Sequence, residues 1–396
     1  MAEYWLTLEN NPIELRMKLI FSLLCAAILF GCTPNKIATL AVQNVSTEPR
    51  ENEMVEINVD PQWTSAPFIL TDSTGKEIPY QLTYNNKLIF QAGVPACGEA
   101  HYQLKAGVPQ RVDTLVTGNQ YPERVDDIAW ENDRIAFRTY GPALQASGEK
   151  AYGYDVWAKR VSHPVVAERY RLELKEGITY HKDNGNGCDF YKVGPTLGAG
   201  AAALMVADTL VYPYCYDTYE ILDNGPLRFT VKLTYHPLQV NTDTAVVETR
   251  LLSLDAGAQL NKVIVSYHGL SAATPLAVGI VLHDTTTNYK ADADLGYIAY
   301  ADPVDREYGQ LYLAAILPVG EVKLAQPVYF TAQEQKMRGA NGHLLACATY
   351  QPDSSFTYYW GAGWSKWGFA TQDEWFNFVR KESAKKAEPM MVVVVE

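Results

Sequence analysis

The sequence predicts an all-β protein, with a small N-terminal β-sandwich followed by a larger unit of long antiparallel strands in stacked sheets. Three observations favour this class. Apolar runs that are β-branched or alternate with polar residues recur along the chain, and Gly, Asn and Pro turns separate them. Tyrosine, which is enriched in strands, occurs 26 times. No sequence repeat of fixed period is present, which argues against solenoids and propellers.

The small β-domain is expected to cover residues 36–110. Its strand-like runs are ATLAVQNVS, MVEINVD, PFILTD, EIPYQLTY, KLIFQAGV and HYQLKAG. Turn residues lie between the runs, for example from Asp72 to Gly75. A polar stretch with a proline, residues 109–120, follows the last run and is the predicted linker.

The larger unit is expected to cover residues 121–396. Its strand-like runs are RLELKEGITYH, LRFTVKLTYH, AVVETRLLSLD, NKVIVSYHGL, LAVGIVLHD, LYLAAILP and PVYFTAQ. One helix is predicted from Thr371, which could cap it, and Glu374 stands three residues later as in a capping box. The glycines of residues 198–203 indicate a loop or a close backbone contact. The tail VVVVE could form a last strand.

Residues 1–35 have the pattern of a mis-assigned start followed by a bacterial lipoprotein signal. Met17 is the better start, because Lys18 leads into the apolar run LIFSLLCAAILF and then Gly31 and Cys32. This pattern predicts a lipid on Cys32 that anchors the protein to a membrane. No acidic cluster follows the cysteine, which favours the periplasm and attachment to the outer membrane. The alternative is an ordinary secretory signal that is cut elsewhere.

Charge and motif content exclude several classes of protein. The formal net charge of −12 and pI of about 5.1 make nucleic acid an improbable partner. The sequence has no phosphate-binding loop, no dinucleotide fingerprint, no G-x-S-x-G elbow and no H-E-x-x-H motif. The four cysteines after the signal, Cys97, Cys188, Cys215 and Cys347, fit no zinc spacing, and no disulfide is assigned among them.

The candidate catalytic residues lie in the stretch YHKDNGNGCDFY, which starts at Tyr180. His181 and Asp183 would share one face of an extended segment, and Asp189 and Tyr191 would share another beyond the Asn–Gly turn. If the turn closes a hairpin, the two pairs converge. A histidine, a tyrosine and two carboxylates in one cleft suit proton abstraction or glycosidic acid/base chemistry. The alternative is a polar hairpin loop with no chemical role.

The same turn could instead bind Ca²⁺. Asp183, Asn184, Asn186 and Asp189 supply the hard oxygen ligands that Ca²⁺ prefers. Apart from this possible Ca²⁺, no metal and no cofactor are expected.

The candidate substrate-binding residues begin with two arginines. Arg134 and Arg138 are four apart, so both would face one side of a strand, where two guanidinium groups suit a carboxylate or a row of hydroxyls. Salt bridges to neighbouring acidic residues are an equally probable role. Asp155 and Trp157 would also share a face, and Trp157 could stack on a pyranose ring, although a buried tryptophan is the commoner case.

A second candidate stacking surface is the aromatic and glycine-rich stretch YYWGAGWSKWGF. Glycines allow a close backbone approach, and Trp360 and Trp364 provide flat faces on which a sugar could stack. The alternative is a tryptophan-rich lid packed on the predicted C-terminal helix.

These motifs resemble those of a known family. WENDRIAFRTYGPAL, YHKDNGNGCDFYKVGPTLGAGAAAL, LDNGPLRFTVKLTY and YYWGAGWSKWGF are similar to motifs of a bacterial lipoprotein family of unknown function, found among enzymes that dismantle pectin and related uronate-containing glycans. The element GPLRFTVKLTY is similar to one in exo-acting rhamnogalacturonan lyases and galactose-mutarotase-like proteins. That second resemblance implies a galactose-mutarotase-like antiparallel supersandwich with a concave sugar face and lyase-like chemistry.

Together, the residues and the resemblance predict a protein that acts on uronate- or rhamnose-containing oligosaccharides. β-Elimination is the first expectation, with His181 or Tyr191 as base or acid and Arg134 or Arg138 on the substrate carboxylate. Hydrolysis with Asp183 and Asp189 is the second. A non-catalytic lipoprotein that captures oligosaccharides is the alternative from another class.

Overall fold

The computed structural model describes residues 36–395, and it confirms the all-β prediction: antiparallel sheets dominate and helices are few. The first unit is a small sandwich of two sheets with one apolar core between them. It is built from six N-terminal strands and the last strand of the chain. The six are β1 (Lys36–Asn44), β2 (Arg50–Asn58), β3 (Phe68–Asp72), β4 (Tyr80–Leu82), β5 (Lys87–Val94) and β6 (Gly98–Ala106).

The last strand, Met391–Val395, belongs to this small sandwich. It pairs antiparallel with β1, with Thr39 opposite Val395 and Gln43 opposite Met391, and the sheet order is last strand, β1, β6, β3. The apolar tail therefore does form a strand. Its Val392 packs on the small core, so the first and last described strands lie in the same sheet.

The larger unit contains three sheets. A four-stranded meander of order β10-β9-β8-β7 comprises β7 (Thr117–Tyr121), β8 (Asp127–Glu131), β9 (Ala136–Thr139) and β10 (Asp155–Trp157). A five-stranded sheet of order β12-β11-β18-β23-β22 comprises β11 (Ala199–Val206), β12 (Thr209–Val211), β18 (Thr274–Leu282), β22 (Leu324–Tyr329) and β23 (Gly342–Tyr350).

The third sheet has nine strands, eight of them in the order β13-β14-β16-β17-β24-β21-β20-β19, with β15 paired to β16. They are β13 (Tyr216–Asn224), β14 (Arg228–Tyr235), β15 (Leu238–Val240), β16 (Asp243–Asp255), β17 (Leu260–His268), β19 (Tyr289–Asp292), β20 (Tyr297–Ala301), β21 (Leu311–Ile316) and β24 (Phe356–Trp364). The strand described above, Met391–Val395, is β25. One large core joins the three sheets of this unit.

Among residues 36–395, four α-helices pack beside the sheets: α1 (Pro142–Ser147), α2 (Val166–Glu176), α3 (Ala332–Arg338) and α4 (Gln372–Ala387). Helix α4 is the predicted one. Thr371 Oγ1 accepts a hydrogen bond from Glu374 N at 3.2 Å, and the Glu374 carboxylate accepts one from Ala370 N. Trp375 and Val379 bury its apolar face against β20 and β21.

Helix α2 corrects the strand expected from the run RLELKEGITYH. Leu172 and Leu174 alternate as in a strand, yet Leu174 is exposed, and the helix buries Val166 and Tyr170, which are four residues apart, over β8. Its first turn is held by Glu131 of β8, whose carboxylate accepts hydrogen bonds from the backbone N–H of residues 165 and 166 at 2.7–2.9 Å. This contact is non-local, so the local pattern could not indicate it.

The residues of the four-stranded meander alternate between two different surroundings. One face packs into the large core, where Trp130 stacks on Phe229 and meets Trp360 edge to face. Helix α2 and the loop of residues 177–198 cover the other face. The candidate site lies on that covered face.

The four cysteines of residues 36–395 are all free. Within the same residues, no helix is both long enough and apolar enough to cross a membrane. The proposed signal and lipid site at Cys32 lie outside the described residues.

Candidate functional site

Three charged residues of the meander point toward α2 because they occupy alternate positions on adjacent strands. Asp127 starts β8, Arg138 lies on β9, and Asp155 stands directly opposite Arg138 on β10. Asp189, from the loop after α2, joins them. We call the three carboxylates around Arg138 the acidic cluster. All four side chains are buried.

Arg138 is saturated by the acidic cluster. Its Nε, at 2.8 Å, and its Nη2 both donate to Asp155 Oδ2, and Nη2 also reaches Asp189 Oδ2 at 3.1 Å. Nη1 lies 3.5 Å from Asp127 Oδ2. Because its donors already face three carboxylates, Arg138 has little capacity to bind a substrate carboxylate.

One guanidinium cannot fully compensate three buried carboxylates. Burial raises the pKa of Asp127 to about 6, although Arg138 and Arg124 lower it in part. Burial, together with the neighbouring Asp155, raises the pKa of Asp189 well above its usual range. One oxygen of Asp127 and one of Asp189 have no hydrogen-bond partner among the described residues, so these carboxylates are incompletely compensated.

Aromatic side chains cover the acidic cluster on the side that faces α2 and the following loop. Tyr170 of α2 donates from its hydroxyl to Asp127 at 3.3 Å, and Tyr180 stacks on Trp157 with ring centroids 4.5 Å apart. Trp157 is fully buried, and its Nε1 donates to Asp155 at 3.2 Å. Trp157 therefore orients the cluster, and Tyr180 occupies the ring face that we expected to hold a sugar.

His181 stands at the surface directly above the cluster. Its side chain is 57% exposed, and its Nδ1 lies 3.0 Å from the Asp189 carbonyl oxygen and 3.6 Å from Asp189 Oδ2. A carbonyl oxygen only accepts, so Nδ1 carries the proton and the neutral ring presents an unprotonated Nε2. Among residues 36–395, Nε2 has no hydrogen-bond partner, which leaves it able to accept a proton.

Arg124 lies beside the same aromatic side chains. Its guanidinium is 5.4 Å from the Tyr180 ring centroid and donates to the Tyr180 hydroxyl. Within the described part of the chain no carboxylate lies within salt-bridge distance of it. His181 contacts the same tyrosine, with ring centroids 4.5 Å apart. A histidine and an arginine without a direct ion pair among the described residues therefore flank one ring, and the sequence analysis did not single out Arg124 or Tyr180.

The other candidate catalytic residues do not converge on His181. Asp183 lies in the turn itself: its Oδ1 accepts from the N–H of Gly185 and of Gly187 at 2.9 Å, and its Oδ2 pairs with Arg160. Tyr191 is buried in the large core. The predicted hairpin thus brings His181 and Asp189 together but turns the other two residues away, because the segment is an irregular loop with no strand pairing.

Three substrate-binding candidates also lie away from the acidic cluster. Arg134 sits in the turn between β8 and β9, not on the strand face, and pairs with Asp133 at 3.2 Å. Trp360 is fully buried and stacks on Tyr154 with ring centroids 4.2 Å apart, so it forms core and not a stacking wall. Trp364 is buried too, with its Nε1 donating to a backbone carbonyl.

Several of the turn oxygens proposed for Ca²⁺ accept hydrogen bonds or ion pairs from protein donors. Asn186 Oδ1 accepts from Arg169 Nε at 3.1 Å, and the Asp183 and Asp189 carboxylates bind the partners given above. Within residues 36–395, no group of three or more His, Cys, Asp or Glu side chains could hold a metal ion.

A second histidine, His283, also lies beside a carboxylate. His283 follows β18, and its Nδ1 lies 2.7 Å from Asp302 and its Nε2 lies 2.8 Å from the Lys192 carbonyl oxygen. Asp302 raises the pKa of His283 despite its burial. The ring of Tyr191 packs edge-on against it at 5.5 Å. Both ring nitrogens face acceptor oxygens, so His283 links the segments of Asp302 and Lys192 and is not available as a base.

Together the fold and site define an all-β protein in which a surface histidine and an arginine lie above a buried acidic cluster. The chain belongs to the family described as "Domain of unknown function (DUF4861)", which matches residues 42–392. The sequence-level resemblance to a family of unknown function is thereby confirmed. "Uncharacterized protein P7" of Formosa agariphila is 28% identical over 320 residues, which are 78% of each protein.

Two solved structures are similar to this chain at very low sequence identity. A protein in glycosyl hydrolase family 38 from Enterococcus faecalis matches with a TM-score of 0.50 and 8% identity, over 91% of this chain and 47% of that one. An α-mannosidase from Enterococcus faecalis V583 matches with a TM-score of 0.46 and 8% identity, over 91% and 46%. The chain thus spans about half the length of these proteins, and the first likeness shows the fold alone.

Proposed function

We propose that the chain is a carbohydrate-active protein that cleaves uronate- or rhamnose-containing, pectin-like oligosaccharides by β-elimination. The observation that carries the proposal is the 3.0 Å contact between His181 Nδ1 and the Asp189 carbonyl oxygen. In the neutral ring this contact places the proton on Nδ1, so Nε2 is the nitrogen that can act as a base, and it has no hydrogen-bond partner among the described residues. The likeness in fold to a protein named as a family 38 glycosyl hydrolase gives no reaction by itself.

In this reaction His181 Nε2 takes the proton from the carbon next to the uronate carboxylate. The C–H electrons form the new carbon–carbon double bond, and the glycosidic C–O bond on the adjacent carbon breaks. Because Tyr191 is buried, the protonated His181 is the group that returns the proton to the leaving oxygen. Arg124 is the cation suited to neutralise the substrate carboxylate, in place of the saturated Arg138.

The geometry gives less support to the other two functions. Hydrolysis with Asp183 and Asp189 needs two accessible carboxyl groups, but one is bound within its turn and the other is buried on Arg138. A protein that only binds oligosaccharides would not need a base, so the free Nε2 of His181 is not explained by that function.

The test compares His181→Gln with His236→Gln on a panel of oligogalacturonates and rhamnogalacturonan oligosaccharides. His236 is a control of similar exposure: its side chain is 51% exposed, against 57% for His181, and it also lies near a carboxylate, that of Asp217. We expect an ultraviolet-absorbing unsaturated product from the parent protein. His181→Gln should reduce turnover by about 10²–10⁴, the range for a positioned base, and His236→Gln should not change it.

Each other outcome points to another class. Reducing ends without ultraviolet absorbance would indicate a hydrolase, and binding with no product would indicate a capture protein. Arg124→Met should raise KM for acidic oligosaccharides, while the solvent-facing Arg134→Met should leave it unchanged. An equal effect of both arginine changes would contradict the role of Arg124.

We further propose that the mature protein is anchored to the periplasmic face of the outer membrane through a lipid on Cys32. Support comes from the sequence pattern before this cysteine, which lies outside the described residues. Mass spectrometry of the protein from its native membrane should find that Cys32 is the first residue and that it carries the lipid. An intact peptide that runs across position 32 would remove the proposal.

A further inference from the structure

A pocket of about 480 Å³ lies at one end of the large unit, and it contains none of the residues discussed for elimination. We call it the tyrosine pocket. Its lining comes from the loops beside β10, β11 and β12 and from the end of α3: Lys150, Tyr152, Pro195, Tyr212, Tyr214, Met337 and Arg338. Four separate segments thus converge on one concave surface, which the sequence pattern did not indicate.

Arg338 is the fixed cation of the tyrosine pocket. Its guanidinium lies between two aromatic rings, 4.8 Å from the centroid of Tyr212 and 5.1 Å from that of Phe330. Its Nη1 donates to the Pro195 carbonyl oxygen, while its buried Nε has no partner. Within residues 36–395, no carboxylate forms a salt bridge with Arg338. The group is therefore held in one orientation without a direct ion pair, although its charge contributes, after the hydrogen bonds from Thr331, to lowering the pKa of Glu334.

The neighbouring titratable groups do not neutralise Arg338. Glu334, one turn earlier in α3, accepts hydrogen bonds from the Thr331 backbone N–H and hydroxyl in a capping box. His343 packs beneath the same aromatic rings, and its Nε2 accepts from Leu197 N at 3.1 Å. Burial, and to a lesser extent Arg338, lowers its pKa to about 3, so it stays neutral.

The tyrosines supply flat apolar faces and hydroxyl groups on the same wall. The Tyr152 ring lies 5.4 Å from that of Tyr212 and 5.0 Å from that of Tyr214, and Tyr214 is 44% exposed. Burial raises the pKa of Tyr152 to about 12, so its hydroxyl stays neutral and can donate. Lys150 adds a second, exposed cation at the rim.

We propose that the tyrosine pocket is a binding site for a uronate residue of an oligosaccharide. A pyranose ring has an apolar C–H face that fits an aromatic surface, and hydroxyls that fit phenol groups. Its carboxylate would meet the preset guanidinium of Arg338. Arg338 and Lys150 place two positive charges in this pocket of a chain whose net charge is −12, which favours an anionic ligand over a neutral sugar. The site does not depend on the elimination reaction proposed for His181.

The test is calorimetric titration with trigalacturonate and with galactotriose, which lacks the carboxylates. The His181→Gln variant is used throughout, so that turnover cannot consume the ligand. We expect trigalacturonate to bind more tightly. Arg338→Met and Lys150→Met should each weaken it by about 10–100-fold and leave galactotriose unaffected. Tyr214→Ala should weaken both sugars.

Tyr219→Ala is the matched control for the last change, since this tyrosine is equally exposed but lies on β13, outside the pocket. Lys150 is exposed, so its variant tests the charge even if Arg338→Met fails to fold. Equal affinity for the two sugars, no binding, or full affinity in Lys150→Met would overturn the proposal. Turnover of the parent protein is measured separately, so failure of the pocket and failure of the elimination reaction are distinguishable.

Discussion

Replacing Asp127 with asparagine should change how the stability of this protein depends on pH. The pKa of Asp127 is raised from 3.8 to about 6 in the folded protein, chiefly by burial. Asparagine has nearly the same shape and cannot ionise, so it imitates the protonated carboxyl group. Its oxygen can still accept from Tyr170, as Asp127 does.

The sign follows from proton binding. Below about pH 4, Asp127 is protonated in both the folded and the unfolded chain. Between about pH 4 and pH 6 only the folded chain keeps the proton, so the free energy of unfolding falls as the pH rises. A rise from 3.8 to about 6 corresponds to about 3 kcal/mol, at ~1.4 kcal/mol for each pKa unit. Asp127→Asn should therefore gain about 3 kcal/mol on the parent protein between pH 4 and pH 7.

The measurement is urea unfolding at pH 4, 5, 6 and 7, followed by tryptophan fluorescence, to which Trp157 beside the cluster contributes. Asp294→Asn, an exposed change of the same kind, supplies the background. The reasoning is refuted if the difference between Asp127→Asn and the parent protein stays constant over this range, because Asp127 would then not hold a raised pKa in the fold.

Three further changes test the packing. Arg138→Met leaves three buried carboxylates without their cation and should lower the free energy of unfolding by about 3–5 kcal/mol, measured with urea. Arg134→Met, in a surface turn, should change it by no more than about 0.5 kcal/mol. Similar losses in the two variants would refute the buried cluster. Removing β25 by truncation after Pro389 should lower the melting temperature of the small sandwich by at least about 4–8 °C in calorimetry, and an unchanged transition would contradict the pairing. Gly200→Ala should cost about 1–3 kcal/mol, since its new Cβ would lie 2.5 Å from the Trp360 side chain, and more than Gly148→Ala, whose Cβ meets open space.

The fold class could be predicted because its cause is local. Period-two alternation appears in the sequence wherever a strand buries one face, and the cap at Thr371 identifies α4 in the same local way. Helix α2 was missed for the opposite reason. Glu131, some 35 residues earlier in the chain, holds its first turn, so the alternation of Leu172 and Leu174 was misleading.

The candidate site divides along the same line. The approach of His181 to Asp189 was predictable, since a short turn brings them together. The saturation of Arg138 was not, because its carboxylates come from three distant segments. Trp360 looks like a binding residue by composition, but the register of β24 directs it into the core. Side-chain type suggests chemistry, and only the strand pairing decides which face carries it.

The pairing of β1 with β25 has a consequence for biosynthesis. Strand β1 is synthesised some 350 residues before β25, its partner in the sheet. Until then the edge of β1 remains open to pairing with other chains, as unpaired strand edges do. The small sandwich is therefore completed only after the strands of the larger unit have been synthesised. Any chaperone that escorts the chain would have to protect this edge until β25 has been made.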